Sequence, residues 1–205
     1  MMTTLQHWKL LALLSLLLPC LSHAAQAIHS TDPDTGLRKW HLVDGNLEVE
    51  LIQRLPDQTR GFFMARGFSP AIAEEIARSC IFQTIIRNSG NQADGAAVRI
   101  DLAQWRVIRE DGEQGVRLKE PWIASWPENV VSEASRLAFQ WALFPTRQEF
   151  LADDYNWGMT SFGLEPGTRF DLDFFYEREG TRHAARFEGV ECPPDVHPEP
   201  QNDRK

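Results

Sequence analysis

Cys80-Ile81-Phe82-Gln83-Thr84-Ile85-Ile86-Arg87-Asn88-Ser89-Gly90 is the stretch from which the fold is read. Its β-branched and aromatic residues favour an extended strand, and Asn88-Ser89-Gly90-Asn91 supplies a polar stop. Immediately upstream lies the clearest helix signal of the chain. Ser69 is a good N-cap, Pro70 suits the first helical position, and Glu74 and Glu75 favour the helix dipole. Ile72 and Ile76 share one face. A short helix over about 69–79 therefore delivers the chain to Cys80 and the strand.

The N-terminal residues read as an export signal. Lys9 precedes the apolar run Leu10–Leu18, Pro19 breaks it, and small residues follow at Ser22, Ala24, Ala25 and Ala27. Cleavage after Ala24, leaving 1–24 as signal peptide, or after Ala27 both fit. The apolar run is too short for a spanning helix, which needs about 20 residues. The mature chain is then expected in the periplasm or secreted, without a transmembrane segment. Removal of the signal leaves 20 basic against 29 acidic side chains. Such a balance offers no electrostatic basis for binding nucleic acid or an anionic membrane.

Two cysteines survive export, Cys80 and Cys192. In an oxidising compartment two cysteines allow one pairing. Closing so long a loop is worth about 4–5 kcal/mol in the chain-entropy account. The rival reading is a metal-ligand or redox pair. No C-x-x-C is present, and His197 is the one histidine within five residues of either cysteine.

Outward from this centre, strands recur every 10–15 residues between turn signals. Residues 28–46 are polar and read as a leader and first turn. Leu47-Glu48-Val49-Glu50-Leu51 alternates as a half-buried strand does. Residues 60–68, with Phe62, Phe63, Met64 and Phe68, suggest a second strand or an irregular stretch. Ala97 to Ile108 changes parity near Ala103-Gln104, as at a bulge, and Asp111-Gly112 suits a hairpin turn. Val116 and Leu118 suggest a short strand stopped by Pro121. Residues 119–131 read as a proline-bearing loop holding Trp122 and Trp126. Residues 136–144 carry Leu137, Phe139, Trp141 and Leu143 at a period of two, which favours strand, although Leu137, Trp141 and Phe144 also form a helical stripe. Trp157–Phe162, 170–174 and 185–192 suggest further strands. The prolines and charges of 193–205 predict a disordered tail.

Leu164-Glu165-Pro166-Gly167-Thr168-Arg169-Phe170 resembles the L-x-P-G-T-x-Y turn before a late strand in fibronectin type III and other immunoglobulin-like sandwiches. The resemblance covers seven residues. It implies an immunoglobulin-like β-sandwich and no activity, and Phe170 cannot make the tyrosine-corner hydrogen bond. The expectation is thus a mainly β sandwich with one short helix, occupying residues 28–192 as a single domain.

Candidate chemistry is sparse. Met64, Met159 and His183 suit copper as a ligand set assembled in space, yet none belongs to a spaced ligand motif. No G-x-S-x-G accompanies a serine, and Ser125 and Ser161 lie beside aromatics without a base. Asp153-Asp154 and Asp171/Asp173 fit turns and solvated strand faces better than paired catalytic carboxylates. No catalytic, cofactor or metal residues are assigned. The excess of tryptophan is the remaining signal. Trp122 and Trp126, placed on a loop, are the expected partner surface. The function expected is a non-catalytic binding or assembly module for a protein partner in the cell envelope, with periplasmic copper handling as the alternative.

Overall fold

A computed structural model of the chain describes residues 26–90 and 95–196. The signal-peptide expectation at 1–24 and the tail beyond residue 196 lie outside the described residues. The elements follow one another as β1 (Gln26–Thr31), β2 (Arg38–Asp44), β3 (Leu47–Gln53), α1 (Pro56–Met64), α2 (Pro70–Ala77), β4 (Ile81–Asn88), β5 (Val98–Asp101) and a 3-10 turn (Leu102–Gln104). They continue as β6 (Arg106–Arg109), β7 (Gly112–Gly115), α3 (Lys119–Ser125), α4 (Glu133–Ala142), β8 (Arg147–Phe150), β9 (Tyr155–Ser161), β10 (Arg169–Arg178) and β11 (Thr181–Glu191).

Two antiparallel sheets result. The first has the order β1-β2-β3-β4-β9, so the opening strand β4 lies inside it, between β3 and β9. In the second, β10 pairs with β11 along one edge and with both β5 and β6 along the other. β5 and β6 are two halves of one run, and the 3-10 turn between them produces the parity change seen in the sequence. Alternation decides which residues enter the core. Leu42, Val49, Leu51, Phe82 and Ile86 from the first sheet meet Trp105, Val107, Leu172, Phe174 and Phe187 from the second. This mainly β fold, two sheets sharing an apolar core, carries four α-helices among the described residues, where one was expected.

Only α2 was legible. Ser69 caps it by accepting from the Ile72 N–H, as its sequence suggests. α1 occupies the stretch expected to be strand or irregular. Pro56 begins it, and the Gln58 side chain reaches back to accept from the Leu55 N–H. α3 replaces the expected loop. Pro121 sits in its first turn, where the missing N–H has no intrahelical partner to lose. α4 replaces the favoured strand over 136–144. Its period of two is the superposition of two helical stripes, Phe139 and Leu143 facing inward and Leu137 and Trp141 facing outward. The residues read as a leader are β1 and β2, and no strand forms at Val116–Leu118, where Arg117 makes only an isolated bridge to Ser161. The helices pack on the outer face of the first sheet, and Phe63, Ile76, Trp122, Trp126 and Phe139 close over Ile81 and Met159 as a second apolar cluster.

The Cys80–Cys192 disulfide is present, with a sequence separation of 112. It joins the start of β4 to the residue following β11, and so links the two sheets. The tail expected to be disordered from 193 is ordered for its first residues: Asp195 pairs with Arg78 at 2.8 Å.

One close approach fixes how the chain passes from α4 to β8. A Cβ on Gly158 would lie 2.7 Å from the Phe144 backbone nitrogen and 2.8 Å from its Cα. Gly158→Ala is therefore expected to cost about 1–3 kcal/mol, because backbone must move to admit the methyl. A urea transition with an unshifted midpoint would show that this crossing yields without strain.

Candidate binding surface

The helical layer covers only part of the first sheet's outer face. The strand register gives the uncovered rows. One runs Ile28–His41–Glu50–Ile85–Trp157 and the next runs Val43–Glu48–Arg87–Tyr155. Trp157 shares its face with Met159, two residues on, yet Met159 lies under the helices and Trp157 lies beyond them. Trp157 is 61% and Tyr155 62% exposed. Across from them, the outward stripe of α4 presents Leu137 and Trp141, and Trp141 is 80% exposed.

Trp141 and Trp157 line one pocket of about 200 Å³, with Lys119, Gln140, Leu143, Pro145 and Asn156 completing its walls. The Lys119 ammonium donates to the Gln140 carbonyl at 3.1 Å and the Leu143 carbonyl at 3.5 Å. It thereby caps the C-terminal end of α4. Burial holds its pKa below the ordinary lysine value, with Glu120 opposing. The Asn156 side chain donates to Gln148 Oε1 at 2.6 Å and accepts from the Trp157 N–H at 2.8 Å.

The tryptophans expected at the surface are in the core. Trp122 and Trp126 are 2% and 6% exposed. Arg117 lies over the Trp122 ring at 3.7 Å, and the Trp122 indole N–H donates to Glu75 at 3.2 Å. Trp126 packs against Phe139 with ring centroids 4.8 Å apart. They are buried because α3 turns them toward the sheet, where a loop would have left them outward. The aromatic excess was readable, but its outward members required the helix–sheet arrangement to be known.

The remaining candidates fall in separate settings. Met64 is half-exposed at the end of α1, Met159 fills the helical cluster, and the His183 ring stacks on Tyr176. The described residues contain no group of three His, Cys, Asp or Glu arranged to hold a metal. Asp171 accepts from the Gly189 N–H at 2.8 Å, Asp173 pairs with Arg186, and Asp154 accepts from the Leu151 N–H. Each of these carboxylates serves a turn or a strand pair. The Ser125 and Ser161 hydroxyls donate to the Trp122 and Ser79 carbonyls.

Compared with protein-family models, curated proteins and solved structures, the chain shows no match.

Proposed function

We propose that this chain is an exported, non-catalytic binding or assembly module that engages a protein partner of the cell envelope through the Trp141–Trp157 surface. The observation that carries the reading is the pairing of two outward indoles, from different elements, around one pocket. Tryptophan in water leaves a large apolar area unburied, and tryptophan is enriched among the residues that dominate protein interfaces. Export is supported by the N-terminal sequence and by an intramolecular disulfide, which fits an oxidising compartment. No helix among the described residues is long and apolar enough to cross a membrane. The Leu164–Phe170 turn supports an immunoglobulin-like type of sandwich, which would have to accommodate the β1-to-β4 meander of the first sheet.

The test is capture of a partner from an envelope extract by the wild type, Trp141→Ala and Trp157→Ala. Each substitution is expected to weaken capture by about 2 kcal/mol or more, roughly thirtyfold in affinity. Both indoles lie outside the core, so melting should be unchanged. Equal capture by all three proteins would remove this surface from the function.

A further inference from the structure

We infer that β11 is a dimerisation edge: two copies of the chain pair their β11 strands antiparallel about a two-fold axis at Ala185, joining their second sheets into one. β11 pairs with β10 along one side only. From Thr181 to Phe187 it keeps an unbroken register with β10, without proline, lysine or bulge. The backbone groups on its other side over this run have no hydrogen-bond partner among the described residues. Such an edge is a template for another strand. The remaining edges are shorter or occupied. β7 and β8 have 4 residues each and β1 has 6. Beside β9, the Phe144 N–H donates to the Met159 carbonyl and the Arg117 N–H to that of Ser161. Open space of about 850 Å³ runs along β11, bounded by Ala184, Ala185 and Gly189 and, across the mouth of the sandwich, by Ala27 and His29 of β1.

The occupant is a second copy because the charges of β11 are self-complementary about Ala185. Directly opposed residues of an antiparallel pair point to the same face, so a two-fold pairing must be centred on a residue. Centred on Ala185, it sets Arg182 opposite Glu188 of the second copy, twice over by symmetry, and His183 opposite Phe187. Arg182 and Glu188 are both exposed, and neither forms an ion pair among the described residues. Arg182 rests on the Phe175 ring, 4.3 Å from its centroid. Arg186 falls opposite Ala184 and keeps its pair with Asp173. The neighbouring registers are worse. Centring on Ala184 opposes Arg182 to Arg186, and centring on Arg186 opposes that residue to itself. Like charges directly opposite destabilise a strand pair. Centring on Phe187 drives the pairing through the bulge at 188–189, and centring on His183 gains no ion pair. The pairing leaves the Trp141–Trp157 surface uncovered, since β9 lies at the opposite edge of the first sheet from β1.

The test is sedimentation velocity of the purified protein over a range of concentrations, beside Arg182→Glu, Glu188→Arg and the double exchange. A reversible monomer–dimer equilibrium is expected. Either single substitution opposes like charges and should weaken dimerisation about tenfold or more. The double exchange restores opposite charges and should return the dimer to within about threefold of wild type. Glu188→Arg leaves the Arg182–Phe175 contact in place, and unchanged melting of the dilute variant shows that its fold is intact. Ala185→Cys reads the register. The paired Cα atoms would stand about 4.5–5.5 Å apart, within disulfide reach, so oxidation should give a covalent dimer with Ala185→Cys and not with Ala184→Cys. A protein that stays monomeric at every concentration overturns the inference, including one whose β11 takes a strand from a different protein. So does a dimer that ignores both charge changes, one that the double exchange fails to restore, or one broken by Trp141→Ala instead.

Discussion

Replacing Cys80 and Cys192 together with alanine is expected to lower the unfolding free energy by about 4 kcal/mol. The disulfide closes a loop with a sequence separation of 112, near the range where the chain-entropy account gives about 4.7 kcal/mol. Cys80 adds a second contribution. Its backbone sits at φ 53°, in the left-handed region, as the chain turns from α2 into β4. A non-glycine residue there carries a conformational cost of about 1 kcal/mol or more, held in place by the surrounding bonds. The Phe162 N–H donates to the Cys80 carbonyl, and the Cys192 N–H donates to the Thr168 carbonyl. Cys80→Gly with Cys192→Ala is accordingly expected to be more stable than the double alanine variant, because glycine enters this region without the Cβ clash. Guanidinium unfolding of the oxidised, reduced and two doubly substituted proteins reads both effects. If the reduced protein unfolds at the same midpoint as the oxidised one, the disulfide is not a stabilising element.

Asn88→Ala is expected to be nearly as damaging, at about 3–5 kcal/mol. Asn88 is fully buried at the end of β4. Its amide donates to the Ala96 carbonyl at 2.9 Å and to the Phe150 carbonyl at 3.1 Å. Its oxygen accepts from the Asn46 amide and the Gly90 N–H. One side chain thus holds the β2–β3 turn, the chain leaving β4, the approach to β5 and the end of β8. Truncation leaves several of these groups without partners, and each buried unsatisfied group costs about 1–3 kcal/mol. The sum is reduced by relaxation and by water entry. A fall in melting temperature of about 10 °C or more is the expected reading. Asn88→Asp preserves shape and acceptor but removes both donations and buries a charge, so it should not rescue. An alanine variant melting within a degree or two of wild type would show that water replaces the amide without loss.

The contrast between α2 and α4 shows what was legible in the sequence and what was not. α2 carries a serine cap, an initial proline and one apolar face, three local signals that agree, and it forms where expected. α4 carries an equally good cap, with Ser132 accepting from the Ser135 N–H. Its outward Leu137 and Trp141 contradict a one-faced helix, so the periodicity imitates a strand. The feature that concealed this helix is the feature that marks the candidate surface. β2 was hidden for a different reason. Trp40 and Leu42 alone are buried in the core, and the flanking Lys39 and intervening His41 belong to the outer face. For the tryptophans, composition revealed an excess but not a location. Trp122 and Trp126 went inside because helices brought them over Ile81 and Met159, a contact between residues far apart in sequence.

The placement of the disulfide also determines how this protein responds to being pulled. A force applied between Gln26 and Val196 reaches Cys80 and Cys192 and bypasses everything enclosed by the bond. The β4 to β11 region, including the Trp141–Trp157 slot, lies in that shielded loop. Only the chain from Gln26 to Ser79 and the few residues after Cys192 can lengthen, roughly 200 Å at about 3.5 Å per residue. Under load the N-terminal strands and first two helices would act as an extensible tether, while the segments that carry Trp141 and Trp157 bear no tension.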